Sequence, residues 1–220
     1  MAKKVFIGVG HGGSDPGAVA GGLKEKEVNL AVALACKAEL ERHGVAVRMS
    51  RTKDETDSLE QRIKECNAYA PDLALDIHHN AGGGDGAEVF YHYKGGVSKV
   101  LAQNVLDAIV AAGQNSRGIK VKLNAQGRDY FGFIRQTVAP AVIVEGAFLD
   151  NKADVQFIDT AAEQTAEGVA IAKGILKTLG VAWVPEVRYT VTVAGLDRSA
   201  AEKLAAEMKT KGFSASVKVA

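Results

Sequence analysis

Polar side chains that could bind a metal or transfer a proton follow three apolar segments of the sequence. His11 lies in a glycine-rich run directly after the first segment. His78 and His79 close a second segment, and Glu145 follows the third. In an α/β sheet, ligand sites lie at the carboxyl ends of the strands. A rigid strand end also suits a site that needs precise placement of its side chains.

Two histidines and one carboxylate form a ligand set that is typical of hydrolytic zinc. Zinc lowers the pKa of a bound water to about 7, which makes hydroxide available near neutral pH. We expect the carboxylate to come from the acidic segment Lys24-Glu25-Lys26-Glu27, just before the first predicted helix. The residues alone leave open which histidine and which glutamate would bind, and they indicate only a metallohydrolase.

Structural interpretations compete with these functional ones. Glu25 could simply be an acid in the first turn of a helix, where the helix dipole favours it. His43 falls at a predicted helix C-terminus, and His92 alternates with tyrosines on a predicted strand. Glu145 is harder to explain in this way, because an acid at the end of a buried strand needs a partner or a function.

The elements that would position these residues alternate between strand and helix. The patterns predict strands at 5–10, 45–50, 73–77, 88–93 and 141–144, and helices at 28–43, 59–69, 97–112 and 161–179. This alternation predicts an α/β fold in which helices cover both faces of a mixed, mostly parallel central sheet.

A domain boundary is predicted near Pro185, between residues 1–182 and a C-terminal segment at 183–220. Within that segment the patterns predict a strand at 187–193, a helix at 200–211 and a strand at 213–219, which gives a small α+β extension. A segment of about 35 residues cannot easily bury a core alone, so it should need a partner surface.

Charge and hydropathy exclude several classes of protein. The chain has 220 residues, and 27 Lys+Arg against 26 Asp+Glu give a net charge of +1. We therefore expect no nucleic-acid partner. No apolar run approaches the roughly 18 residues that span a bilayer, so we expect no membrane insertion. The apolar run after Lys4 is too short for a secretory signal, which predicts synthesis in the cytoplasm.

Short motifs occur in a fixed order between residues 4 and 180. They are Gly10-His11-Gly12-Gly13 with Asp15-Pro16-Gly17-Ala18, Glu25-Lys26 with Asn29-Leu30, Arg51 with Asp54, Arg62 with Asn67-Ala68, Ile77-His78 with Asn80-Ala81, Phe133-Ile134-Arg135, and the run from Pro140 to Glu145 with Phe148-Leu149 and Asn151. In order and spacing, this set resembles the zinc-dependent N-acetylmuramoyl-L-alanine amidases of the type 3 family, which occur as bacterial cell-wall enzymes and phage endolysins.

The resemblance implies a role for each matching residue. His11, Glu25 and His78 would bind Zn²⁺, and Glu145 would be the catalytic acid/base. The family pattern selects Glu25 rather than Glu27, and the first histidine of the 78/79 pair rather than the second.

The family pattern defines the roles of three further positions less clearly. Arg135 would assist catalysis by stabilising the oxyanion or by binding a stem-peptide carboxylate, with a surface salt bridge as its alternative role. Asp76 stands where the family usually has Ser, and it could be a partner of His78 or a rival ligand. Gly146-Ala147 replaces the family's usual order, in which the glycine comes second.

The function implied is hydrolysis of the amide between N-acetylmuramic acid and L-alanine of peptidoglycan, in a lytic, endolysin-like setting on the cell wall after release. The alternatives are another zinc cell-wall amidohydrolase, either a carboxypeptidase or a deacetylase, and a non-catalytic wall-binding module. The C-terminal segment resembles half of a sporulation-related repeat, which implies binding to the wall and a possible homodimer.

Overall fold

The structure is a computed structural model that describes residues 2–185, 193, 195–210 and 216–217. The chain divides into two compact units, Met1–Val184 and Pro185–Ala220. The candidate site residues all belong to the first unit. Among the described residues, no helix is both long enough and apolar enough to cross a lipid bilayer.

The strands of the first unit form a six-stranded sheet and a short hairpin. In chain order they are β1 (Lys4–Val9), β2 (Val19–Ala20), β3 (Leu23–Lys24), β4 (Ala46–Met49), β5 (Leu73–Asn80), β6 (Ala87–Tyr91), β7 (Ser116–Lys120) and β8 (Ala141–Phe148). The large sheet has the order β4-β1-β5-β8-β6-β7, and β2 pairs with β3 in the hairpin. Strands β4, β1, β5 and β8 are parallel, whereas β6 runs antiparallel to β8 and parallel to β7. The predicted mixed, mostly parallel sheet is confirmed.

Helices cover both faces of this sheet. They are α1 (Glu25–Arg42), α2 (Leu59–Tyr69), α3 (Val97–Ala111), α4 (Gly132–Gln136), α5 (Lys152–Val155) and α6 (Ala161–Leu179), and α7 (Arg198–Thr210) belongs to the second unit. Helices α1, α3 and α6 share the larger apolar core with one face of the sheet. Helices α2 and α4 share a smaller core with the other face. Because the central strands are covered on both sides, their sequences are almost continuously apolar.

Helix α1 begins earlier than the sequence pattern predicts. The apolar periodicity starts at Val28, but the helix starts at Glu25, directly after the β2–β3 hairpin. The three additional residues are charged and carry no periodic signal, which is why the pattern misses them. Glu25 therefore lies in the first turn of a helix that packs against the sheet.

In the second unit, the described residues cover the predicted helix but little of the two predicted strands. The helix expected at 200–211 is observed as α7. The strands expected at 187–193 and 213–219 lie almost entirely outside the described residues. Their existence and the role of the segment stay predictions.

Candidate metal centre and active site

Three side chains converge at the carboxyl-terminal side of the sheet, where His11 follows β1, His78 lies near the end of β5 and Glu25 begins α1. The Oε2 atom of Glu25 lies 3.1 Å from Nε2 of His11, and its Oε1 atom lies 3.0 Å from Nδ1 of His78. One ligand atom from each residue lies within 4.8 Å of the other two, and the described residues contain no other such group of His, Cys, Asp and Glu. The structure thus brings together the three residues that the resemblance selects as metal ligands.

Glycines make room for this convergence. A Cβ atom on Gly10 would overlap the imidazole ring of His78. A Cβ atom on Gly17 would lie 2.6 Å from both Glu25 Oε2 and His11 Cδ2, and Gly17 also has a positive φ of 65°. Any larger residue at either position would displace a ligand side chain, since real Cβ contacts are not this short. The glycine-rich run is therefore part of the construction of the site.

Polar neighbours fix the orientation of Glu25 and His11. The backbone N–H of Ala18 donates a hydrogen bond to Oε2 of Glu25 at 3.0 Å, and Asn29 Nδ2 donates to Oε1 at 3.3 Å. On the far side of the His11 ring, Nδ1 lies 2.8 Å from Oδ2 of Asp15. Burial raises the pKa of Glu25, but the hydrogen bonds with both histidines hold it well below its usual range. The carboxylate is thus ionised, as a metal ligand must be.

Asp76 lies behind His78, on the side away from Glu25. Its Oδ2 atom is 3.5 Å from Nε2 of His78, whereas Nδ1 of the same ring faces Glu25. Metal-binding histidines commonly place the second ring nitrogen against a carboxylate in this way, which fixes the ring and its tautomer. Of the two roles left open by the sequence, this position favours a partner of His78 over a rival ligand.

Arg62 holds Asp76 in place from helix α2. Its Nη1 atom donates to both carboxylate oxygens of Asp76, at 3.0 and 2.9 Å, and its Nε donates to Asp57 at 2.9 Å. Burial raises the pKa of Asp76, but its interactions with Arg62 and His78 act in the opposite direction and together lower that pKa to about 2. The same carboxylate counteracts the effect of burial on His78 and raises the pKa of that ring to about 10. The buried charges behind His78 are therefore paired.

These residues fit a zinc ion by the chemistry of their donors. Two imidazole nitrogens and one carboxylate oxygen converge, and the other ring nitrogen of each histidine faces an aspartate. Both features are typical of catalytic zinc sites, which use three protein ligands supported by hydrogen bonds from their neighbours.

Glu145 lies beside this group on the adjacent strand. It pairs in register with His78 across the parallel strands β5 and β8, so the two side chains project from the same face of the sheet. Burial raises the pKa of Glu145 to about 7, with the nearby histidine lowering it and the Glu25 carboxylate raising it. A carboxyl group with a pKa near neutrality is suited to both accept and return a proton.

The structure separates the alternative ligands from the centre. His79 is buried on the other face of the sheet, with Nδ1 2.7 Å from Asn29 Oδ1 and Nε2 3.0 Å from Glu167 Oε2. Glu27 is exposed and pairs with Lys24 at 2.9 Å. Neither side chain belongs to the converging group.

Arg135 contacts backbone rather than the converging side chains. Its Nη1 atom donates to the carbonyl oxygens of Asp129 and Tyr130, at 2.6 and 2.8 Å. These bonds attach α4 to the loop that precedes it. A direct part in catalysis stays a prediction for this residue.

Sequence reasoning missed two buried acids near the site. Glu88 lies directly across from Glu145 on the antiparallel strand β6, and it carries the same signal, an acid within an apolar strand. Glu167 lies on α6, where an acid is ordinarily a solvated residue, so the sequence holds no sign of its burial.

Comparison with known proteins identifies the family. The family described as N-acetylmuramoyl-L-alanine amidase matches residues 5–177. The chain is 34% identical over 219 residues to the N-acetylmuramoyl-L-alanine amidase CwlM of Bacillus licheniformis, and the match covers 97% of this chain and 84% of that protein. It is also 34% identical over 195 residues to the endolysin of Bacillus phage SPP1, covering 82% of this chain and 69% of the endolysin.

A solved structure agrees with these sequence matches. The catalytic domain of CwlV, an N-acetylmuramoyl-L-alanine amidase from Bacillus (Paenibacillus) polymyxa var. colistinus, superposes with a TM-score of 0.74 and is 30% identical. The match covers 82% of this chain and 99% of that domain. The chain therefore belongs to the N-acetylmuramoyl-L-alanine amidase family and is an amide hydrolase of that class.

Proposed function

We propose that this amidase is zinc-dependent, with His11, Glu25 and His78 as the ligands and Glu145 as the general acid/base. The observation that carries the proposal is the convergence of the three ligand atoms within 4.8 Å, beside a strand neighbour whose pKa is raised to about 7. The substrate bond is the amide between N-acetylmuramic acid and L-alanine in peptidoglycan.

The residues divide the work of hydrolysis between binding and proton transfer. When bound, zinc supplies positive charge that polarises the scissile carbonyl and makes a water molecule more acidic. Glu145 accepts the proton of the attacking water on a carboxylate oxygen and then donates it to the nitrogen of the leaving alanine. Burial raises the pKa of Glu145 above its ordinary value, which makes its carboxylate a stronger base toward the water proton.

Asp76 acts on this chemistry through His78. It faces Nε2 of the ring, so the nitrogen that faces Glu25 is the one free to bind metal. Arg62 in turn keeps Asp76 ionised and fixed. The role we assign to Asp76 is positioning of the imidazole.

We propose a lytic, endolysin-like setting, in which the enzyme acts on the cell wall after release from the cytoplasm. Similarity to the endolysin of phage SPP1 supports this setting. For residues 183–220 we propose wall binding and self-association as a homodimer. The half-buried residues Ala201, Leu204, Ala205 and Met208 of α7 are spaced three and four apart, which gives the helix one apolar face.

Metal analysis combined with product analysis tests the proposed function. The purified protein should contain about one zinc per chain, lose activity on purified cell walls after chelation, and regain it with added Zn²⁺. Hydrolysis should expose new amino-terminal L-alanine on the released peptides. Release of D-alanine or acetate instead would identify a carboxypeptidase or a deacetylase and contradict the proposal.

A further inference from the structure

Beyond Glu145, the same face of the sheet continues into a pair of basic side chains. Glu145 on β8 lies directly opposite Glu88 on β6, and Glu88 is buried. Strand β7 follows β6 at the edge of the sheet and carries Arg117 and Lys120. Glu88 therefore lies between the proposed acid/base and this basic pair on the same face of the sheet.

Both basic residues bind the same oxygen of Glu88. The Nε atom of Arg117 lies 2.7 Å from Oε2, and Nζ of Lys120 donates to that atom as well. The other oxygen, Oε1, accepts a hydrogen bond from Asn80 Nδ2 at 3.2 Å. Two cations and one anion leave this cluster with one positive charge in excess, and the acceptors of Glu88 are already occupied.

The excess charge is presented to solvent in a fixed geometry. The side chains of Arg117 and Lys120 are 35% and 34% exposed, so neither is enclosed by the fold. The guanidinium of Arg117 lies 4.9 Å above the centre of the Phe148 ring, which restrains its plane. Its Nη1 and Nη2 atoms donate no hydrogen bond to any of the described residues. A restrained guanidinium with two free donors matches the geometry of a carboxylate.

The distance suits a group close to the scissile bond. Adjacent strands lie about 4.8 Å apart, so β7 is roughly 10 Å from β8 across the sheet. An extended peptide advances about 3.3–3.6 Å per residue, and an arginine or lysine side chain covers part of the remaining distance. In peptidoglycan, the residue after L-alanine is a γ-linked D-glutamyl residue, whose α-carboxyl group is free in some walls and amidated in others.

We propose that Arg117 and Lys120 form an anion subsite that binds the free α-carboxylate of this D-glutamyl residue. The inference rests on the proposed function, because it requires the leaving peptide to cross the sheet from β8 over β6 to β7. It makes Arg117 and Lys120 specificity-determining residues that distinguish the free from the amidated stem peptide.

Steady-state kinetics on two matched substrates test the subsite. The substrates are N-acetylmuramoyl tripeptides that differ only in D-isoglutamate or D-isoglutamine at the second position. The wild-type enzyme should show a lower KM for the carboxylate form. Arg117→Met should raise that KM about 10-fold or more, as loss of a charge-assisted bidentate contact predicts, with kcat unchanged. The KM for the amidated form should change less than about twofold.

Two further variants control for charge and folding. Arg117→Lys should keep the fold and part of the selectivity, because the charge stays while the two parallel donors are lost. Arg48→Met is the matched control: Arg48 also lies over an aromatic ring, Tyr69, at 4.8 Å, but on strand β4 at the opposite edge of the sheet. Its KM for both substrates should equal the wild-type values.

The outcomes separate the subsite from the proposed function. Equal KM values of the wild type for both substrates, or an equal rise for both in Arg117→Met, would overturn the subsite while leaving the amidase function intact. Loss of selectivity in Arg135→Met but not in Arg117→Met would also overturn it, by assigning the carboxylate to Arg135. Failure of the wild type to cleave either substrate before L-alanine would overturn the proposed function itself.

Discussion

The Oε1 atom of Glu167 fills the space into which a side chain at Gly146 would project. A Cβ atom at that position would overlap this oxygen and lie 3.2 Å from Nε2 of His79. Glu167 reaches this place from α6 and pairs with His79 through its other oxygen, at 3.0 Å. The glycine directly after Glu145, which departs from the order usual in the family, is thus matched to a buried His–Glu pair on the far face of the sheet.

The first prediction concerns this match. Gly146→Ala should lower the free energy of unfolding by about 1–3 kcal/mol, because the methyl group must displace the Glu167 carboxylate in a packed interior. Chemical denaturation with both single variants and the double variant Gly146→Ala/Glu167→Ala measures the coupling. The double variant should cost less than the sum of the two single changes, by about 0.5–3 kcal/mol. Strictly additive costs would show that the two positions are independent.

The second prediction separates metal ligands from the acid/base. His11→Ala, Glu25→Ala and His78→Ala should each lose both zinc and activity, because each removes one of three protein ligands. Glu145→Ala should stay folded and keep zinc while its turnover falls about 10²-fold or more, as expected for a general acid/base. Metal content by mass spectrometry and initial rates on purified walls provide the two measurements. Zinc loss in Glu145→Ala together with retention in Glu25→Ala would reverse the assignment.

The third prediction uses Glu27 as the counterpart of Glu25. The two glutamates lie in the same helical turn, but only Glu25 contacts both histidines, and Glu27 pairs with Lys24 at the surface. Glu25→Gln should therefore weaken zinc binding strongly, while Glu27→Gln leaves both zinc content and rate near wild type. A zinc-depleted Glu27→Gln beside an intact Glu25→Gln would move the ligand by two residues.

The fourth prediction concerns the carboxylate behind His78. Asp76→Asn should weaken zinc affinity about 10- to 100-fold, the effect typical of removing a carboxylate that orients a metal-binding histidine. Competition with a chromogenic chelator measures the affinity. Asp107→Asn serves as the control, since among the described residues Asp107 accepts only an exposed hydrogen bond from Gln103 on α3. Unchanged zinc affinity in Asp76→Asn would show that Asp76 does not orient His78 for metal binding and only pairs with Arg62.

The fifth prediction concerns the second unit. Removal of residues 185–220 should leave hydrolysis of small soluble fragments intact, because every residue of the candidate site lies in the first unit. Binding to whole walls, measured by co-sedimentation, should weaken, and light scattering should show a loss of self-association. A truncated protein that binds walls like the full chain, with both forms monomeric, would contradict both roles of the segment.

The sequence predicts the sheet and its site residues where strong local signals exist. His11, His78 and Glu145 can be recognised because each polar residue follows a run of apolar residues, although the structure extends β5 to Asn80 and β8 to Phe148, beyond the predicted strand ends at 77 and 144. Strand β7 and helix α4 are missed, because Ser116–Lys120 shows no apolar alternation and α4 is only five residues long. Local signals do not predict elements that are short and held by tertiary contacts.

The sequence predicts the identity of the site residues better than it predicts the contacts between their side chains. The choice between Asp76 as ligand and Asp76 as partner depends on which ring nitrogen of His78 faces Glu25, and this follows from the position of α1 above the sheet. The burial of Glu167 depends on where α6 crosses strand β8. Both are consequences of packing between elements distant in sequence, for which no local pattern exists.

The order of the strands also decides when the enzyme can become active during its synthesis. Strand β5 lies between β1 and β8, although β1 ends at Val9 and β8 begins only at Ala141. A nascent chain extending just past β5 already holds all three proposed ligands but has no acid/base and no central strand β8. Long-range parallel pairing of this kind forms only after its loop-closure entropy has been overcome. Hydrolytic activity should therefore appear only after most of the first unit has left the ribosome, so incomplete chains should have no lytic activity.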